Sequence, residues 1–213
     1  MKYHILNKYL AALSGLFLIL FLTGHLAGNL QLLIPDANTA RIQFDAYAEF
    51  MQSNFLIKIL SYITYVAIIL HIIITLKLTI DSRRNRSIQY KKTASPTNAI
   101  SSKYMGILGT VILAFLIIHL IHFWYQAKFN GEKELYDLIV EKFKNIEHVI
   151  IYVVAMGAIF LHLLHGFQSS FQSLGLINSK TRKYIKIIGM AYALIIPILF
   201  AAIPICIYFK VNQ

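Results

Sequence analysis

The sequence predicts an all-α membrane protein, five transmembrane helices in a bundle, and three observations carry that expectation. Of the 213 residues, 58% are hydrophobic and only 14% charged, and the mean hydropathy of +0.64 is one that a water-soluble domain of this length rarely reaches. Five intervals contain no Asp, Glu, Lys or Arg, namely 9–35, 59–76, 104–127, 148–179 and 187–209, where a hydrocarbon core of roughly 30 Å needs about 20 helical residues. The basic residues fall in short runs between those intervals, as in "SRRNRSIQYKK" and "SKTRKYIK". A net charge of +11 distributed in this way describes cytoplasmic loops and not a groove for nucleic acid. The single cysteine, Cys206, has no second thiol in the chain to pair with.

Each span has its own justification. The first helix is expected over about 9–34. Lys2 and Lys8 ahead of an apolar run resemble a signal peptide, but the run is too long and no small-x-small cleavage site follows it, so it reads as a retained helix. The second, over about 55–80, has a short charge-free centre that residues 55–57 and the snorkelling stems of Lys58 and Lys77 extend. Pro96 and the Ser, Thr and Asn around it mark a linker before the third helix, over about 104–127, and Asn130–Gly131 marks a turn after it. Residues 136–143 read as a short interfacial helix. The fourth and fifth spans cover about 148–177 and 184–209. Residues 1–213 thus form one transmembrane domain with no soluble unit beside it.

Charge sets the orientation. Arg83, Arg84, Arg86, Lys91, Lys92 and Lys103 occupy one loop with no acid after Asp81, and Lys180, Arg182, Lys183 and Lys186 occupy the next on that side. The opposite connections, 36–54 and 128–147, are acidic or balanced. The N-terminus and both basic loops are therefore expected in the cytoplasm, and the C-terminus outside.

Within these spans the stretches "TGHLAGN", "IILHIII", "IIHLIHFW" and "FLHLLHG" insert imidazoles into apolar sequence. An unpaired buried imidazole costs about 1–3 kcal/mol, and ionisable residues inside spans are functional candidates. A helix rises about 1.5 Å per residue, so sequence position converts to depth. His25 and His119 lie roughly 15 residues into helices that start inside, ~22 Å towards the outer face. His71 and His162 lie about 15 residues into helices that start outside, and so share a level in the cytoplasmic half. Two pairs on levels roughly 14 Å apart cannot share one metal centre, whose bonds to nitrogen are about 2 Å. They can supply two stacked bis-histidine sites, and a flat apolar porphyrin fits between helices. Gly28, Ala67, Ala158 and Gly166 stand three or four residues from the histidines on the same helical faces, where larger side chains would obstruct a porphyrin plane. Gly24 and Gly28 also form a small-xxx-small contact motif. His4 and His148 sit at membrane edges and read as interfacial. His122 and His165, each three residues beyond a proposed ligand, stay open on spacing alone.

The segments "SGLFLILFLTGHLAGN", "FLIIHLIHFW" and "HLLHGFQSSFQSLGL" resemble the dihaem cytochrome b subunits of succinate:quinone oxidoreductases, specifically the single-subunit, five-helix anchors of menaquinone-linked succinate dehydrogenases and fumarate reductases. The resemblance runs through all five spans and is weak in the loops. Its most specific pieces are Gly15 ten residues before His25, and His162-x-x-x-Gly166 followed by Gly175. It implies His162 over His165, and His119, which precedes Leu120, over His122. It implies two haems b, with His71 and His162 holding the iron nearer the cytoplasm and His25 and His119 the iron nearer the outside. It further implies a flavoprotein partner with covalent FAD, an iron–sulfur partner on the cytoplasmic face, and a quinone near the outer side in a bacterial inner membrane. A carboxylate beside the outer haem would exchange the quinone's protons; Asp36, Asp45 and Glu49 are the candidates, with Glu49 preferred.

Two other readings compete. The cytochrome b subunit of a hydrogenase or formate dehydrogenase is also a histidine-rich dihaem bundle, but one ligand on each of four successive helices favours the succinate family. A transporter with a histidine proton relay would carry no haem and would line a continuous path with ionisable groups.

Overall fold

The computed structural model describes residues 2–84, 96–131 and 134–213. Arg86, Lys91 and Lys92 of the first basic loop lie outside them, as does the side chain of His4. Helix α1 (Lys2–Asn29) runs into a 3₁₀ turn, Leu30–Leu33. It is followed by α2 (Ala37–Ser53), α3 (Phe55–Arg84) and α4 (Pro96–His119), which continues as a π-helix over Leu120–Asn130. The chain closes with α5 (Leu135–Phe143), α6 (Ile146–Ser173) and α7 (Thr181–Asn212).

Five stretches are long and apolar enough to cross a membrane: Ile5–Leu33, Phe55–Arg84, Tyr104–Phe129, Ile146–Ser173 and Thr181–Asn212. These are the five helices expected from the sequence. Their outward faces are apolar. On α3 the exposed residues Tyr62, Val66, Ile69, Ile73, Leu76 and Ile80 recur at three- and four-residue steps and make one continuous stripe. A stripe of that kind suits hydrocarbon, since all its backbone groups are bonded within the helix.

Helix α1 packs against α3 and α6, and α4 packs against α6, while α3 and α4 barely meet. Helices α1, α3, α4 and α6 therefore form a four-helix bundle in which α1 faces α4 across one diagonal and α3 faces α6 across the other. Helix α7 lies against α6 on the outside. Gly189 permits its approach, since a Cβ there would stand 2.7 Å from the Phe167 ring.

One end of the bundle is closed by α2 and α5. Helix α2 begins at Asp36, whose carboxylate accepts the Thr39 N–H at 2.7 Å. Hydrogen bonds from Thr39 hold that carboxyl below its ordinary value. Asp45 accepts the Tyr136 N–H at 3.1 Å at the start of α5, and Arg41 pairs with Asp137. Beneath this polar surface, Phe44, Ile139 and Phe143 join Leu26, Leu32, Phe123, Val149, Tyr152, Ile203 and Ile207 in the main buried core.

Two connections differ from expectation. Residues 37–53, read as loop, form α2, because Ala40, Phe44 and Ala48 give it a narrow buried stripe at four-residue spacing. Pro96, read as part of a linker, is the first residue of α4, where proline's fixed φ and missing N–H carry no penalty. Gly131 ends the third span with φ +31°, the left-handed conformation that glycine adopts freely.

Candidate functional site

Four histidines meet across the two diagonals of the bundle. His25 on α1 faces His119, the last residue of α4, with ring centres 5.9 Å apart and planes at 90°. His71 on α3 faces His162 on α6, with ring centres 6.4 Å apart and planes at 74°. All four are half-buried.

Two helices measure the distance between these levels. Ser14 on α1 touches His71 and lies eleven residues before His25, or ~16 Å of helix. Tyr152 on α6 touches His119 and lies ten residues before His162, or ~15 Å. Both agree with the separation expected from sequence.

The levels have different surroundings. Around the His25–His119 pair, Phe21 stacks on His25 at 5.4 Å and Phe200 lies 5.7 Å from it, while Phe115 and Phe123 lie 5.8 and 5.4 Å from His119. The Tyr152 hydroxyl stands 3.4 Å from Nδ1 of both His119 and His122. Around His71 the neighbours are small: Ser14 Oγ lies 3.1 Å from Nδ1, and a Cβ on Gly15 would stand 3.2 Å from Cε1.

The two remaining intramembrane histidines turn elsewhere. His122 stacks over Tyr152 with planes at 9°, and its ring centre lies 4.8 Å from that of His148. The chain leaves α geometry at His119, and the wider π-helical turn changes the angular step and carries His122 off the His119 face. His165 joins neither pair. The Nδ1 atoms of His148 and His162 are buried without a hydrogen-bond partner among the described residues.

No group of three or more His, Cys, Asp or Glu gathers to hold a metal ion among the described residues, and the imidazoles that face each other across the bundle are two at each level. That donor set fits an iron whose other four positions come from a porphyrin. Two nitrogens binding one metal from opposite sides at about 2 Å, each about 1 Å ahead of its ring centre, set those centres roughly 6 Å apart. The observed 5.9 and 6.4 Å match. A Cβ on Gly166, one turn from His162, would meet no atom within 4 Å, which leaves room for a flat group beside that ring. Gly28 does not serve that purpose. Its Cβ would stand 2.3 Å from the Tyr47 ring, so its small size admits α2 against α1.

Of the three acids, Asp36 caps α2 and Asp45 caps α5. Glu49 is exposed and makes no hydrogen bond or ion pair among the described residues. It sits two residues, about 200° around the helix, from Tyr47, so it faces away from α1. None of the three makes a hydrogen bond to His25 or His119.

Sequence reasoning missed Ser14, Tyr47 and Tyr152. Ser14 and Tyr152 carried a usable signal, since each is a polar group inside an apolar span, ten or eleven residues from the histidine of its own helix and so at the depth of the other pair.

The family model of the succinate dehydrogenase/fumarate reductase transmembrane subunit matches residues 80–201, more than half of the chain. The matched region takes in His119 and His162 and ends short of His25 and His71. No curated protein and no solved structure matches the chain.

Proposed function

The chain belongs to the family of succinate dehydrogenase/fumarate reductase transmembrane subunits, and from that premise we propose that it is the dihaem cytochrome b subunit of a succinate:menaquinone oxidoreductase. In this reading it anchors a flavoprotein and an iron–sulfur subunit to the membrane and conducts electrons between the latter and quinone. His71 and His162 hold the inner haem b, and His25 and His119 the outer. The observation that carries the reading is the pairing of imidazoles across both diagonals, at two levels ~15 Å apart on α6.

When bound, haem iron supplies a one-electron carrier at each level. The chain's own contribution is position and environment. Opposed helices hold the imidazoles opposite each other across the bundle. Aromatic side chains keep water from the outer pair. Helices α2 and α5 close the outer end, while among the described residues nothing comparable covers the other, which suits a docked partner there. Glu49, the one of the three candidate acids that makes no hydrogen bond or ion pair among the described residues, is the proposed proton exchanger for quinone at the outer side.

Haem content tests the core of this. A pyridine haemochrome assay on purified protein is expected to give two b-type haems per chain. His119→Ala is expected to give one, and His122→Ala two. No haem in the wild-type protein would leave a histidine-relay transporter as the better reading. A one-haem His122→Ala beside a two-haem His119→Ala would exchange the two ligand roles.

Orientation is tested by labelling. A cysteine in place of Ser87 is expected to be protected from an impermeant thiol reagent in intact cells, and one in place of Asn130 to react. The opposite pattern would invert inner and outer throughout.

A further inference from the structure

Ser14 is one of two buried polar residues in the core among the described residues, the other being Thr64. A serine on an apolar helix ordinarily satisfies itself by donating to the carbonyl one turn back, and Ser14 does so. Its Oγ lies 2.8 Å from the Leu10 carbonyl and 3.2 Å from that of Ala11. The same oxygen also lies 3.1 Å from His71 Nδ1.

Proton counting settles who donates to whom. The hydroxyl has one hydrogen, and the two carbonyls can only accept it. At 2.8 Å from a carbonyl oxygen, Ser14 Oγ without its proton pointing there would set lone pairs against lone pairs. The hydrogen therefore goes to α1's backbone, and His71 Nδ1 must carry the proton it donates to the oxygen's free lone pair. In a neutral imidazole that leaves Nε2, on the far edge of the ring, with its lone pair free. His162 on the opposite helix has no such tether, since its Nδ1 is buried without a partner among the described residues. The two imidazoles of the inner pair are thus unequal.

We propose that Ser14 is the positioning residue for His71: its hydroxyl oxygen holds the Nδ1–H, fixes the tautomer that offers Nε2 to iron, and sets the potential of the inner haem. An imidazole whose N–H donates a hydrogen bond is the more electron-rich ligand, and it stabilises oxidised iron over reduced. Ser14 therefore lowers the inner midpoint. Gly15 helps it do so, because its missing side chain lets α1 come this close to the ring.

The inference rests on the bis-histidine reading, and the test keeps the two apart. In membranes containing the assembled complex, both haems are titrated by their reduced-minus-oxidised spectra. Wild-type protein without two haems would overturn the functional reading itself. With two haems present, Ser14→Ala is expected to raise the inner midpoint by a shift equal to about tenfold in the redox equilibrium, ~59 mV for one electron. The outer midpoint is expected to stay unchanged. Ser14→Thr, which keeps the hydroxyl, restores the wild-type value. Selective loss of the inner haem in Ser14→Ala, reversed by Ser14→Thr, supports the same role. If Ser14→Ala does not assemble, Ser14→Cys, of similar size and a weak acceptor, is read against the same expectation. An unchanged inner midpoint would overturn the proposal. A shift in Ser14→Thr as large as in Ser14→Ala would overturn it too, by making packing the cause.

Discussion

His25→Ala is expected to abolish succinate:quinone activity while the complex continues to reduce a soluble artificial dye. With one imidazole removed, the outer level keeps only His119, whose remaining polar contact is Tyr152 at 3.4 Å. A single axial nitrogen does not complete the bis-histidine site. The level of His71 and His162 lies ~16 Å away along α1, and the haem proposed there is expected to remain. In the proposed complex the flavoprotein and iron–sulfur subunits lie outside the membrane and would not be touched, so dye reduction would report that they are present and competent. Glu49→Gln is the companion variant. It leaves both haems in place and is expected to slow quinone reduction by roughly 10²-fold, because only proton exchange is lost. Full quinone activity in an assembled His25→Ala complex shown to lack the outer haem would place the quinone on the cytoplasmic side. Unimpaired Glu49→Gln would return the proton role to another group.

The histidine levels were legible in the sequence because two simple quantities suffice. An imidazole is conspicuous in a charge-free span, and helical rise turns its position into depth. His25 and His119 fell on one level by arithmetic alone, as did His71 and His162, and the same pairs meet in the structure. What sequence could not supply is the angle at which each side chain leaves its helix. His122 lies one turn from His119, and only the π-helical start at Leu120 shows why it turns to Tyr152 and His148. The role of Gly28 was misread for a related reason. Its small size was assigned to a porphyrin, while the neighbour is Tyr47 on a helix that hydropathy did not reveal. Helix α2 has low overall hydrophobicity, so a search for spans passes over it. Its signal was amphipathic: an Asp36 cap followed by Ala40, Phe44 and Ala48 on one face.

His71→Ala is expected to give the opposite electron-transfer phenotype to His25→Ala. The outer pair and its haem remain, yet succinate no longer reduces that haem, while a strong chemical reductant does. The reason is distance. The apolar span of α1 begins at Ile5, and the His71 level, marked by Ser14, lies nine residues in, or ~14 Å. The His25 level lies twenty residues in, ~30 Å from that end. Removing the inner pair leaves this whole depth without a carrier, whereas removing the outer pair leaves the first step intact. In His25→Ala, therefore, succinate is expected to reduce the one haem that remains. His165→Ala serves as control. His165 makes no hydrogen bond or ring contact with any described residue, so its loss is expected to leave two haems and normal reduction by succinate. Rapid reduction of the outer haem by succinate in a His71→Ala complex lacking the inner one would mean that electrons enter nearer the outer face. The order inner level first, outer level second would then be abandoned, together with the assignment of the basic loops to the cytoplasm.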